Sequence, residues 1–150
     1  MDTIDFFKLQ AKNLHRDFKT RKLVFNNEFG KLLYEYEPKN FDVELVIQDF
    51  HLDVEKLTLM KVQHVIAQIA GFEKWTVLIK ASEADLKIAK ILYENQDIID
   101  LRMWIDYIAD AERINQTRFD SETKLTICEQ VFEMGVFGDV QFDCYLLDKK

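Results

Sequence analysis

Histidine, cysteine, serine and glycine are the residues most able to do chemistry, and this chain uses them sparingly. Its histidines are His15, His51 and His64, and no two are near enough in sequence to form a local metal pair. Neither HExxH nor Glu-x-x-His occurs. Cys128 and Cys144 form no CxxC and have no histidine beside them, so both read as reduced small hydrophobes. No metal and no cofactor are expected. Ser82 and Ser121 sit where helix caps belong, outside any GxSxG elbow. Gly30, Gly71, Gly135 and Gly138 lack the spacing of a phosphate-binding or dinucleotide-binding loop. The acid pairs Asp139 with Asp143 and Glu35 with Glu37 read as solvated surface. A catalytic carboxylate needs burial or a close like charge to shift its pKa. The expectation is therefore a protein that is not an enzyme.

Two constellations remain. His64 follows Gln63 and lies one turn before Gln68, as a backbone-bonded histidine or as a polar contact for a ligand or partner. The second is a basic stripe. The first 24 residues hold six basic and three acidic side chains, a local +3 in a chain of net charge −7. At about 100° per residue, Lys8, Lys12, Arg16 and Lys19 fall in one sector of a helix, with His15 beside them. The stripe is a solvated face, or a docking face for an acidic partner or nucleic acid. Net acidity disfavours a protein built to coat nucleic acid or anionic membrane.

The elements that must position these residues are mostly helical. Hydrophobic residues are 48% and charged residues 31%, values of an ordered globular chain. One proline and four glycines leave few turn-makers for an all-β fold. Phe7, Ala11, Leu14 and Phe18 predict a helix over 3–19. Val43, Val46, Ile47 and Phe50 predict another over 41–51, capped by Asn40. Leu59, Val62, Ile66, Ile69 and Ala70 predict a third over 59–70, stopped by Gly71. A short helix over 72–80 follows. Ser82 opens the next, with Asp85 in the capping-box position and i, i+4 pairs Glu83–Lys87 and Lys90–Glu94. Asp97 caps a long helix to about 115, with Ile98, Leu101, Ile105 and Ile108 facing inward and Trp104 and Ala111 broadening that face. Asp120 or Ser121 caps a last helix carrying Leu125, Cys128, Val131 and Phe132, ended by Gly135.

Residues 31–36 and 140–146 resist the helical reading. Val140, Phe142, Cys144 and Leu146 alternate with more polar neighbours, as in a strand. The two segments suit a short β-ribbon, with a short helix over 27–36 as the alternative. The expected architecture is all-α, a compact bundle of about six or seven helices forming one domain over 1–150.

Residues 63–80 carry a helix-turn-helix spacing. Ala67 allows close approach, Gly71 makes the turn and Val77 locks the second helix. That helix offers Glu73, Lys74, Trp75, Thr76, Leu78 and Ile79, which is too apolar to read base edges. It is expected to be a packing unit.

The segment Leu59-Met60-Lys61-Val62-Gln63-His64-Val65-Ile66-Ala67, followed by Gly71-Phe72 and Trp75, resembles a helical motif of many bacterial proteins. Their pattern is a Gln-His helix, then Gly-Phe, then Trp and Leu. It is similar to the helical segment accompanying some glyoxalase-related and ankyrin-repeat proteins. Leu9-Gln10-Ala11-Lys12-Asn13-Leu14 is similar to the first helix of those segments. The order of elements over about 6–133 also resembles small bacterial all-helical proteins of unsettled function. Val62 stands where that pattern has Ala. The resemblance implies packing roles for His64, Phe72 and Trp75 and no catalytic residue.

The function these observations lead to is a non-catalytic interaction or accessory module, working with a protein partner or by self-association. A nucleic-acid-associated regulator using the basic stripe is the first alternative. A small-molecule binder with an inter-helix pocket, lined by His64, Trp75 and Trp104, is the second. An exposed patch drawn from Phe6, Phe29, Phe119 and Phe137 would favour the interaction module. The start Met-Asp-Thr-Ile-Asp has neither the basic residues nor the apolar run of a secretory signal. No segment has the length of apolar chain a membrane span needs. A cytoplasmic location and no membrane partner are expected.

Overall fold

Phe7, Ala11, Leu14 and Phe18 are all buried, and the face they form organises the larger of two cores. They belong to α1 (Thr3–Phe18), whose first turn is closed by Asp2 accepting from the Asp5 N–H at 2.8 Å. The structure, a computed structural model, describes residues 2–150. Among them are seven α-helices and one two-stranded sheet. Against α1 pack α2 (Val43–Phe50) and α3 (Leu59–Ile69), and α4 (Trp75–Lys80) packs on α3 to add Trp75 and Leu78 to this core. One face of α5 (Glu83–Glu94) completes this core with Leu86, Ala89 and Tyr93. Phe6, Phe7 and Tyr93 meet edge to face, with centroids 5.1–5.7 Å apart. The Tyr93 hydroxyl donates to Gln10 Oε1 at 3.1 Å, and burial holds this phenol well above its ordinary pKa.

The other face of α5 carries Ala84, Ile88 and Leu92 into a second core. There they meet Ile99, α6 (Leu101–Asn115) and α7 (Ser121–Glu133). The Ser82 and Asp120 caps and the terminal Gly71 and Gly135, both at positive φ, lie where the sequence puts them. Other details shift. Asp42 rather than Asn40 caps α2, and Asp100 rather than Asp97 caps α6, because each carboxylate sits three residues before the N–H it accepts. Once α6 starts at Leu101, Trp104 and Ile108 define its inward face. Ile105, about 100° away, is exposed. Glu83 and Lys87 approach at 4.0 Å, whereas Lys90 lies over the Phe6 ring at 4.9 Å.

The ribbon forms, but between different strands. Its strands are β1 (Lys22–Asn26) and β2 (Lys31–Glu35), antiparallel, with Val24 opposite Leu33 and Phe25 opposite Leu32. The reason is proximity. Asn26 Oδ1 accepts from the Phe29 N–H at 2.9 Å, the Asn26 carbonyl accepts from Gly30 N–H at 2.8 Å, and Gly30 takes φ +65°. A four-residue turn closes at little entropic cost, so 31–35 pairs with its neighbour and neither with 140–146 nor as a helix.

Residues 140–146 dock as a tail instead. The Phe142 N–H donates to Asp97 C=O at 2.7 Å, Asp42 N–H donates to Tyr145 C=O at 2.8 Å, and Phe41 and Leu146 form a single antiparallel bridge. Their dock is organised by a residue the sequence did not single out. Asp17 is buried, and its carboxylate accepts from the N–H groups of Lys39, Asn40 and Phe41 at 3.0, 2.9 and 2.8 Å. Burying a charge is costly unless its lone pairs are met, and here three backbone donors meet them. The carboxylate thus pins the segment after Pro38 to the end of α1.

Candidate functional site

His64, Phe72 and Trp75 do come together. His64 Nδ1 accepts from the Trp75 N–H at 3.1 Å and so caps α4, whose own N-cap residue Lys74 supplies no side-chain bond. Trp75 is buried and Phe72 half-buried against the larger core. Trp104 lies in the second core, stacked against Tyr107 at 6.2 Å. These four residues therefore split between the two cores. The helix-turn-helix geometry is present at Gly71, which takes φ +98°. A Cβ there would meet Leu101 Cδ2 at 3.3 Å. The locking residue is Leu78, fully buried, and not Val77, which is exposed. The six residues of α4 give fewer than two turns.

Lys8, Lys12, Arg16 and Lys19 are exposed along α1, as their spacing requires. None of the four is in an ion pair among the described residues. His15 beside them is held below its ordinary pKa, by partial burial first and the Lys19 charge second. At its far end the stripe reaches the hairpin, where the Arg21 guanidinium covers the Tyr34 ring at 4.1 Å.

The hairpin is the feature that sequence reasoning missed. Partners directly opposite in an antiparallel pair share a face. The register places Leu23 with Tyr34 and Phe25 with Leu32 on one side of the ribbon. All four side chains are more than half exposed, and so is Phe29 at the turn. On the other side Val24 and Leu33 are half-buried, and Lys22 pairs with Glu37. Hydrogen bonds from this pair raise the Lys22 pKa and lower that of Glu37. Of the four phenylalanines expected to mark a patch, Phe29 is exposed, while Phe6, Phe119 and Phe137 are half-buried. The signal that would have found the hairpin is Leu23-Val24-Phe25, two β-branched or aromatic residues in three, followed by Asn26-Asn27 and Gly30.

A cleft of about 400 Å³ lies where the two cores and the tail meet, lined by Phe50, Ile69, Leu92, Gln96, Arg102 and Tyr145. Gln96 Oε1 accepts from the Tyr145 N–H at 3.3 Å, while its buried Nε2 has no hydrogen-bond partner. The Tyr145 hydroxyl donates to Asp49 Oδ2 at 2.7 Å, and burial, then this bond, push its pKa up. Burial likewise raises the Cys144 thiol. None of His64, Trp75 and Trp104 lines this cleft. Among the described residues no three His, Cys, Asp or Glu side chains converge as a metal-ligand set. No helix among them is long and apolar enough to cross a membrane.

No protein-family model matches this chain, and neither the curated proteins nor the solved structures hold a significant match to it.

Proposed function

We propose that this chain is a non-catalytic protein-interaction module that docks through the apolar face of its β-hairpin. The observation that carries this reading is the set Leu23, Phe25, Leu32 and Tyr34, contiguous on one face, each more than half exposed. Apolar side chains scattered singly over a surface are ordinary, but a contiguous patch is a place where another surface gains by covering it. A two-stranded ribbon is also marginal by itself in water, so a partner that covers it stabilises it. Both cysteines are buried and free, which fits the cytoplasmic location included in this reading.

The test is capture from a native lysate with the wild type and with the variant Leu23→Ser/Phe25→Ser. A protein held in stoichiometric amount by the wild type and lost by the variant is the expected result. Equal recovery by both would remove the hairpin from the reading.

The basic stripe supports a second reading, because Lys8, Lys12, Arg16 and Lys19 are exposed and have no ion-pair partner among the described residues. It makes α1 the docking face for an acidic partner. Binding through it falls steeply with salt, and binding that persists unchanged at high salt counts against it.

A further inference from the structure

Three features of β2 bear on what pairs with its outer edge. The first is an open edge. Among the described residues, no backbone group of Lys31–Glu35 bonds to anything beyond the hairpin. The second is the lack of protection. Natural edges are blunted by proline, bulges, covering loops or a charge in mid-strand. The middle of β2 is Leu32-Leu33-Tyr34, with none of these. The third is its order of charges, Lys31-Leu32-Leu33-Tyr34-Glu35, basic at one end and acidic at the other.

We propose that the edge of β2 joins a second copy of this chain, β2 to β2 in antiparallel register about a twofold axis at Leu33, which sets the apolar faces of the two hairpins side by side and leaves them open to the partner proposed above. That register sets Lys31 of each copy against Glu35 of the other, so the two ion pairs form by symmetry. Among the described residues neither side chain has an ion-pair partner within its own chain. The same register sets Leu32 of one copy opposite Tyr34 of the other, on one face of the new sheet. Aromatic–aliphatic cross-strand pairs of this kind stabilise antiparallel sheets. The result is a four-stranded sheet in the order β1, β2, β2, β1, which has the strand number that independent stability needs.

Charge favours this partner. The whole chain carries −7, so two copies repel at long range. The segment 21–37, however, holds three basic and three acidic residues and is neutral. It is a region through which two copies meet without a like-charge penalty. The outer edge of β1 fits less well. Self-pairing about Val24 would set Lys22 against Asn26, and Lys22 is already held by Glu37.

Sedimentation of the full chain over a wide concentration range tests the proposal, together with capture of an untagged copy by a tagged one. The wild type is expected to form a dimer. Lys31→Glu and Glu35→Lys each place like charges opposite one another twice in that dimer, and each is expected to weaken it about tenfold. The double exchange Lys31→Glu/Glu35→Lys restores the opposite pairs and is expected to regain most of the affinity. Lys31→Glu is the cleaner single change, since residue 31 faces Asn26 in its own hairpin whereas Glu35 faces Lys22. Circular dichroism of each variant checks that the helices are kept. A dimer indifferent to these exchanges overturns the proposal, because another surface then joins the copies. A monomer at every concentration also overturns it. If that monomer still captures a different protein, and loses it on Leu23→Ser/Phe25→Ser, the docking reading stands without this partner. If nothing is captured either, both fall together.

Discussion

Two stretches of this chain, 31–36 and 140–146, resist a helical reading and suit strands, and they meet opposite fates. In the tail, Cys144 and Leu146 are buried in the larger core, and the backbone bonds to Asp97, Asn40 and Asp42. In β2, Leu32 and Tyr34 stand more than half exposed, and among the described residues the backbone bonds only to β1. The two-residue period of a strand fixes which side chains share a face. It says nothing about what that face will meet. The tail found a prepared dock, because Asp17 holds Lys39, Asn40 and Phe41 in place and Phe41 bridges Leu146. The hairpin closes on itself, and its apolar side is left open apart from Arg21 over the Tyr34 ring.

The comparison breaks most visibly at the dock. Asp17→Ala strips three buried N–H groups of their acceptor, and an expected loss of about 3–5 kcal/mol follows in urea denaturation. A loss below about 1 kcal/mol would mean that the segment after Pro38 holds its shape without the carboxylate. Next comes a matched pair of truncations. Leu146→Ala removes buried methyl groups and is expected to cost about 2–3 kcal/mol. Leu32→Ala, on the hairpin, is expected to stay within about 0.5 kcal/mol in dilute protein. Equal costs for the two would erase the distinction between docked tail and uncovered ribbon.

A smaller effect is read in alkali. Burial lifts the Cys128 thiol from an ordinary value near 9 up to about 12. For an acid whose folded pKa is raised, the stabilisation is complete below the unfolded value and is lost as pH rises through the folded one. Stability should therefore decline between about pH 9 and pH 12. Native protein should resist alkylation at Cys128 until it unfolds. Rapid alkylation of folded protein near neutral pH would contradict this. The smallest expected change is in the stability of Leu23→Ser/Phe25→Ser, whose melting temperature should nearly match the wild type in dilute solution while its capture of a partner protein is lost. A large drop would mean that the exposed face contributes to the monomer after all.

The helices were legible because their signals are local. Phe7, Ala11, Leu14 and Phe18 lie on one face whatever they pack against, and Ser82, Asp120 and Gly71 act on their own turns. Where the reading slipped, a neighbour decided. The α6 cap moved from Asp97 to Asp100, and Ile105 dropped out of an inward face that Trp104 and Ile108 hold as expected. In α4, the capping bond from His64 fixed the helix start, and Leu78 rather than Val77 faced the core. The candidate residues fared similarly. The exposure of Lys8, Lys12, Arg16 and Lys19 follows from helical spacing, whereas the separation of Trp104 from Trp75 depends on there being two cores. Asp17 looked like one more acid in a basic stretch, since its three partners lie 22 to 24 residues away. The uncovered hairpin face was hidden for the converse reason. A sequence marks residues that can be buried, and burial itself depends on the rest of the molecule.

The helix α5 serves both cores, with Leu86, Ala89 and Tyr93 on one side and Ala84, Ile88 and Leu92 on the other. A cut on either side of it would leave an oily stripe in water on the piece that kept it and an open groove on the piece that lost it. Either half, to serve as a separate part, would first have to cover that stripe or fill that groove with something new.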